Sequence, residues 1–132
     1  YVLYEGKSCF VILNRYPYVN GHLMIIPNRH LGGLEELTAE ERSEIFDLLD
    51  VSVKVLKEAM KPDGFNVGMN LGKAAGAGIA EHVHMHVIPR WEGDTNFMTV
   101  VGNVRVVPED PAVTAAKLMP LFEKYTRGGE KR

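Results

Sequence analysis

The six residues His82-Val83-His84-Met85-His86-Val87 alternate strictly between imidazole and apolar side chains. Alternate side chains of a strand share a face. The stretch therefore predicts a strand over 82–89, with His82, His84 and His86 on one side and Val83, Met85 and Val87 on the other. The apolar set requires a core to cover it, so the imidazoles line the opposite face of the sheet. From the rise of a strand, neighbouring histidines stand about 6.6 Å apart at the backbone and the outer two about 13 Å.

The remaining pattern supplies partners for such a strand. "KSCFVILN" (7–14) and the nearly all-apolar "HLMIIP" (22–27) read as strands, joined by "RYPYVNG" with Pro17 and Asn20-Gly21 as turn residues. Thr38 followed by Glu41 forms a capping box. Ile45, Leu48, Leu49, Val53, Leu56 and Met60 then recur at helical spacing until "KPDG" (61–64) ends the helix. Its glutamates lie early and its lysines late, as the helix dipole prefers. "FNVGMNL" (65–71) is a further strand, and the loop "GKAAGAGIAE" (72–81) leads into the histidines. "VRVV" (104–107) reads as a short strand, and Asp110 to about Tyr125 as a helix kinked or divided at Pro120. Strands in hairpin-like succession with two separated helices predict an α+β fold on an antiparallel sheet. The pattern predicts one domain over 1–126 and a disordered charged tail at 127–132.

Composition narrows the class. With 132 residues, 45% apolar and 24% charged, the chain is that of an ordinary globular domain. A net charge of −2 argues against a nucleic-acid coat or a membrane-surface protein, though local cations and backbone amides can still hold a small anion. No apolar run spans a bilayer, and cytoplasmic residence is the expectation. Cys9, the single cysteine, is expected to be a small buried residue within "SCFVIL". The chain opens on Tyr1 rather than Met, so its natural N-terminus is expected to lie upstream.

Three readings of the histidines follow. Two of them can ligate one zinc, but a span of about 13 Å strains all three on a single ion, and neither a CxxC pair nor an HExxH motif is present. They can be satisfied polar residues on a wet sheet face. They can also perform chemistry at phosphorus: neutral imidazole is a nucleophile, and near pH 7 a cationic neighbour can coexist with it. Glycines beside the strand allow backbone amides to approach a phosphate closely.

His-x-His-x-His with apolar x resembles the signature of the histidine triad (HIT) family. "FVILNRYPYVNGHLMIIPNRH" (10–30), "NVGMNLG" (66–72) and the glycine loop resemble it in the same order, and the similarity covers roughly Leu3 to Val107, most of the chain. "PRWEGDTNFM" (89–98) is most similar to bacterial and archaeal members related to diadenosine tetraphosphate phosphorylases and hydrolases. The resemblance implies a five-stranded antiparallel sheet with two helices per subunit, the sheets paired in a homodimer. It implies hydrolysis or transfer at the α-phosphate of dinucleoside polyphosphates or related nucleotides, through a covalent nucleotidyl-histidine and with no required cofactor. Alternatives are a phosphorylase that uses phosphate as acceptor, or a non-catalytic nucleotide-binding module.

Residue by residue, the resemblance makes His84 the nucleophile. His86 and His22 hold phosphate oxygens, with one of them or His82 assisting proton movement. Asn70 meets the phosphate or leaving group, Asn14 the ribose, and amides near Gly78 and Ile79 the phosphate. Arg90 and Lys73 are expected to be solvated, and Trp91 to pack on a base or at a dimer contact. Two departures stand out. Ile79 occupies the position, three before the triad, where many members carry Ser or Thr. The CxxC that holds structural zinc in many bacterial members, with histidines matching His30 and His82, is not in this sequence; such a zinc is expected only if upstream residues supply the cysteines.

Overall fold

The computed structural model describes residues 1–15, 20–75, 82–94 and 109–130. Five strands, β1 (Val2–Glu5), β2 (Cys9–Leu13), β3 (Leu23–Pro27), β4 (Gly64–Gly68) and β5 (Met85–Arg90), form one sheet in the order β1-β2-β3-β5-β4. Every pairing is antiparallel. Two helices, α1 (Ala39–Met60) and α2 (Pro111–Glu130), pack together and on one face of the sheet. This is the α+β arrangement expected, with one strand that the pattern did not announce. Val2–Glu5 supplies a strand that its four residues and single fully buried side chain, Leu3, did not advertise. The strand expected at 104–107 lies outside the described residues.

Alternation produces the core. Cys9, Val11 and Leu13 of β2, Leu23 and Ile25 of β3, and Met85 and Val87 of β5 are buried against Ile45, Leu48, Val55 and Leu56 of α1 and Leu118 and Phe122 of α2. Each such side chain contributes roughly 1.5–3 kcal/mol when fully buried. Cys9 sits inside this layer, where burial raises its thiol pKa to about 11 and keeps it a structural residue. Thr38 caps α1 as a complete capping box with Glu41, and Arg29 ion-pairs with the same buried carboxylate at 2.8 Å. Lys61, in the left-handed region at φ 50°, ends the helix before Pro62.

Pro120 does not divide α2. Both Pro120 and Ala116, whose carbonyl loses its partner, are exposed, so the break in the hydrogen-bond ladder lies on the solvent side. The helix runs to Glu130, past the expected end near Tyr125 and into the 127–132 stretch read as a tail. Each residue added to an established helix gains a bond without a new nucleation cost.

The turn ahead of β3 fixes where the site begins. Gly21 has φ +76°, and a Cβ there would meet Met60 Sδ at 2.6 Å and Pro89 Cγ at 3.2 Å. Only glycine fits both the left-handed backbone and the space between α1 and β5. Asn20 beside it accepts the Glu109 backbone N–H at 2.8 Å, tying the turn to the start of α2. Gly21→Ala should destabilise the fold by about 2–3 kcal/mol, read by urea denaturation, because it combines backbone strain with a steric conflict.

Candidate active site

The open face of the sheet carries the residues that the alternation leaves on the side away from the helices. In the β3–β5 ladder Met24 stands opposite His86, and in the β4–β5 ladder Gly68 does. His86 therefore has a methionine on one side and no side chain on the other. Among the described residues, a Cβ at Gly68 would meet nothing within 4 Å.

The regular strand is shorter than predicted. It begins at Met85, and only His86 of the three histidines belongs to it. Val83 N–H bonds to the Leu31 carbonyl at 2.8 Å instead of joining the β3 ladder. The in-out alternation nevertheless continues: Val83, Met85 and Val87 are buried while His82, His84 and His86 are half-buried. His22 likewise lies one residue ahead of β3, Asn14 one residue past β2, and Asn70 two past β4. Sites built at strand ends keep the precision of the sheet while freeing side chains from the ladder.

The structure brings four of the expected residues together. His22 is diagonal to His86 across the β3–β5 pairing, within aromatic reach. Its Nε2 lies 2.9 Å from His86 Nδ1, and its Nδ1 lies 2.9 Å from Asn14 Nδ2. The His86 and His84 rings meet edge-on with centroids 4.7 Å apart. His84 Nδ1 donates to the carbonyl of His82 at 2.9 Å. A carbonyl can only accept, so in the neutral His84 ring the proton is on Nδ1 and Nε2 carries the free lone pair.

The ring of His82 has different partners. The His82 ring packs on His30, with centroids 4.8 Å apart, and its Nε2 donates to the Pro27 carbonyl at 3.0 Å. It serves His84 through its backbone carbonyl, a role that composition and spacing do not signal. Asn70 is exposed. Gly78 and Ile79 lie outside the described residues. Arg90 is committed to Asp94 and Asn66, and Trp91 Nε1 donates to the Met60 carbonyl at 3.3 Å, holding the indole against the end of α1.

Burial decides the charge of the cluster. His22 is 8% exposed, and its pKa falls from 6.5 to about 4, first through desolvation and then through repulsion from His86 and His84. His86 is lowered for the same reasons, burial first and His84 second. Near pH 7 both are neutral, so neither is the cationic neighbour that an unperturbed histidine would supply.

Among the described residues no three His, Cys, Asp or Glu side chains gather as they would around a metal. His30 and His82 are adjacent, but His82 Nε2 already faces a carbonyl and Cys9 is buried in the core. The described residues do not compose a zinc site.

A histidine cluster on the open face of a helix-backed antiparallel sheet defines the class. The HIT domain family model matches residues 1–93, and the chain belongs to that family. The AP-4-A phosphorylase of Mycobacterium tuberculosis is 46% identical over 108 residues, 82% of this chain and 55% of that protein. The chain thus spans about half the length of that relative. An uncharacterized HIT-like protein of Methanocaldococcus jannaschii is 32% identical over 116 residues, 88% of each chain. Among solved structures, a hypothetical histidine triad nucleotide-binding protein of Sulfolobus tokodaii superposes with TM-score 0.77 at 27% identity, over 96% of this chain and 86% of that one.

The lowered pKa of His22 links protonation to stability. Between pH 6.5 and about 4 the unfolded chain binds a proton that the folded chain refuses. This contribution is complete above the unfolded value and is lost as pH falls toward the folded one, by on the order of 3 kcal/mol in all. Urea denaturation across that range should show the loss in the wild type and a shallower slope in His22→Gln. Equal slopes would assign the loss to other groups.

Proposed function

We propose that this protein is a nucleotidyl hydrolase or transferase that cleaves dinucleoside polyphosphates or related nucleotides at the α-phosphate, with His84 as nucleophile. The observation that carries the reading is the bond from His84 Nδ1 to the His82 carbonyl, which keeps a lone pair on Nε2 beside a neutral His86. On diadenosine tetraphosphate, Nε2 forms a P–N bond to the α-phosphorus and the bond to the bridging oxygen breaks, releasing ATP. Water then attacks the nucleotidyl-histidine to give AMP and restores the ring. In this reading His86 donates to a non-bridging oxygen. Asn70 and the amides near Gly78 and Ile79 complete the phosphate contacts, Asn14 meets the ribose, and His82 and His22 support the reacting pair.

Phosphate as acceptor is the second reading, favoured by the printed name of the 46% identical relative. The same intermediate would then yield ADP instead of AMP. The proposal includes one HIT domain over 1–126, a homodimer, a cytoplasmic location, no required cofactor and no nucleic-acid or membrane partner. No helix among the described residues is long and apolar enough to cross a membrane.

His84→Ala should lower turnover of diadenosine tetraphosphate by at least about a thousandfold, since removing a nucleophile removes the covalent route. Mass spectrometry of the quenched wild-type reaction should show an AMP adduct on His84, and products formed with and without phosphate distinguish the two acceptors. Saturable AMP binding with no adduct and no turnover would make the protein a binding module instead.

A further inference from the structure

Asn14 holds His22 twice. Its backbone N–H donates to the His22 carbonyl at 2.8 Å, and its side-chain Nδ2 lies 2.9 Å from His22 Nδ1. The first bond fixes the register of the segments on either side of the β2–β3 turn, and the second uses that register to reach the ring. An amide nitrogen carries hydrogens and no available lone pair, so it must donate. His22 Nδ1 must then accept, which places the proton of the neutral ring on Nε2. That nitrogen is 2.9 Å from His86 Nδ1, so His86 Nδ1 accepts in turn and the His86 proton resides on its Nε2.

We propose that Asn14 is a positioning residue that sets the direction of this hydrogen-bond chain, so that His86 offers an N–H donor to an anionic oxygen of the substrate. With the opposite direction, His86 Nε2 would present a lone pair to that oxygen and repel it. The neighbouring ring has the complementary arrangement. His84 donates its Nδ1–H to the His82 carbonyl and carries a lone pair on Nε2. Two imidazoles whose centroids are 4.7 Å apart thus carry opposite tautomers, one a nucleophile and one a donor.

Residue type at position 14 decides the outcome. An aspartate there would only accept, forcing a proton onto His22 Nδ1 and either reversing the chain or charging the ring. An apolar residue would leave Nδ1 without a donor. Protonating His22 at Nδ1 costs the Asn14 bond and places a charge in a half-closed cluster, in keeping with its depressed pKa.

The catalytic consequence rests on the nucleotidyl-transfer reading; the tautomers do not. Long-range proton–nitrogen correlation spectra of the nitrogen-15-labelled protein near pH 7.5, assigned by single histidine substitutions, report each ring directly. The expected pattern is Nε2–H for His22 and His86 and Nδ1–H for His84. A predominant Nδ1–H form of His22 or His86 in the wild type overturns the proposal without recourse to any variant. Asn14→Leu, checked for folding by thermal unfolding, should leave His84 unchanged while His22 and His86 redistribute between tautomers, and unchanged spectra for that pair also overturn it. His22→Gln should keep His86 as Nε2–H, because a glutamine offers the same acceptor and donor, whereas His22→Leu should release it. Against diadenosine tetraphosphate, Asn14→Leu should lower kcat roughly tenfold beyond any change in KM, as expected when a preoriented donor is partly lost. The expected tautomers in a protein that turns over no nucleotide would preserve the hydrogen-bond assignment and remove the nucleotidyl-transfer reading.

Discussion

The antiparallel pairing of β3 with β5 is the constraint on which the site depends. It sets Leu23 against Val87 and Met24 against His86, joining segments more than sixty positions apart in the chain. One side of this pairing is sealed by α1 through Leu23, Ile25, Met85 and Val87. A slip of one residue would send that apolar set to the open face and the imidazoles into the core. The same burial that stabilises the domain therefore fixes which way the histidines face. His22 reaches His86 only because the register is diagonal, and the register holds because its other face is buried.

Crowding then determines the chemistry available. Imidazoles in contact on a partly desolvated surface cannot readily share positive charge, and His22 and His86 have lowered proton affinities accordingly. What they retain is direction. A neutral imidazole has one donor and one acceptor, and its partner selects which nitrogen is which. Here the partners are a backbone carbonyl for His84 and an amide side chain for His22. Hydrogen bonding, rather than net charge, differentiates residues that are chemically identical.

Much of the framework was legible because it follows from local periodicity. The capping box of Thr38 and Glu41, the helix to Met60 and the alternation across Val83, Met85 and Val87 appear as read. Val2–Glu5 was less legible, since an edge strand of four residues has too little alternation to announce itself and is held by pairing with β2. Pro120 misled for a complementary reason. Its effect depends on whether the orphaned carbonyl faces protein or solvent, which no sequence window contains. At the site, the alternation and the motif singled out His84 and His86, while the ring of His82 went to His30 and Pro27.

The sequence by itself determined that three imidazoles would be segregated from three apolar side chains, because a period of two is a property of any extended chain. It also determined the limits of α1, through capping and dipole chemistry that acts over a few residues. Tertiary structure alone decided that Asn14, His22 and His86 form one hydrogen-bonded chain and that His84 donates its Nδ1–H to a carbonyl. Those choices depend on distances between separate strands and on the water removed around them. Both are set only when the sheet closes against its helices.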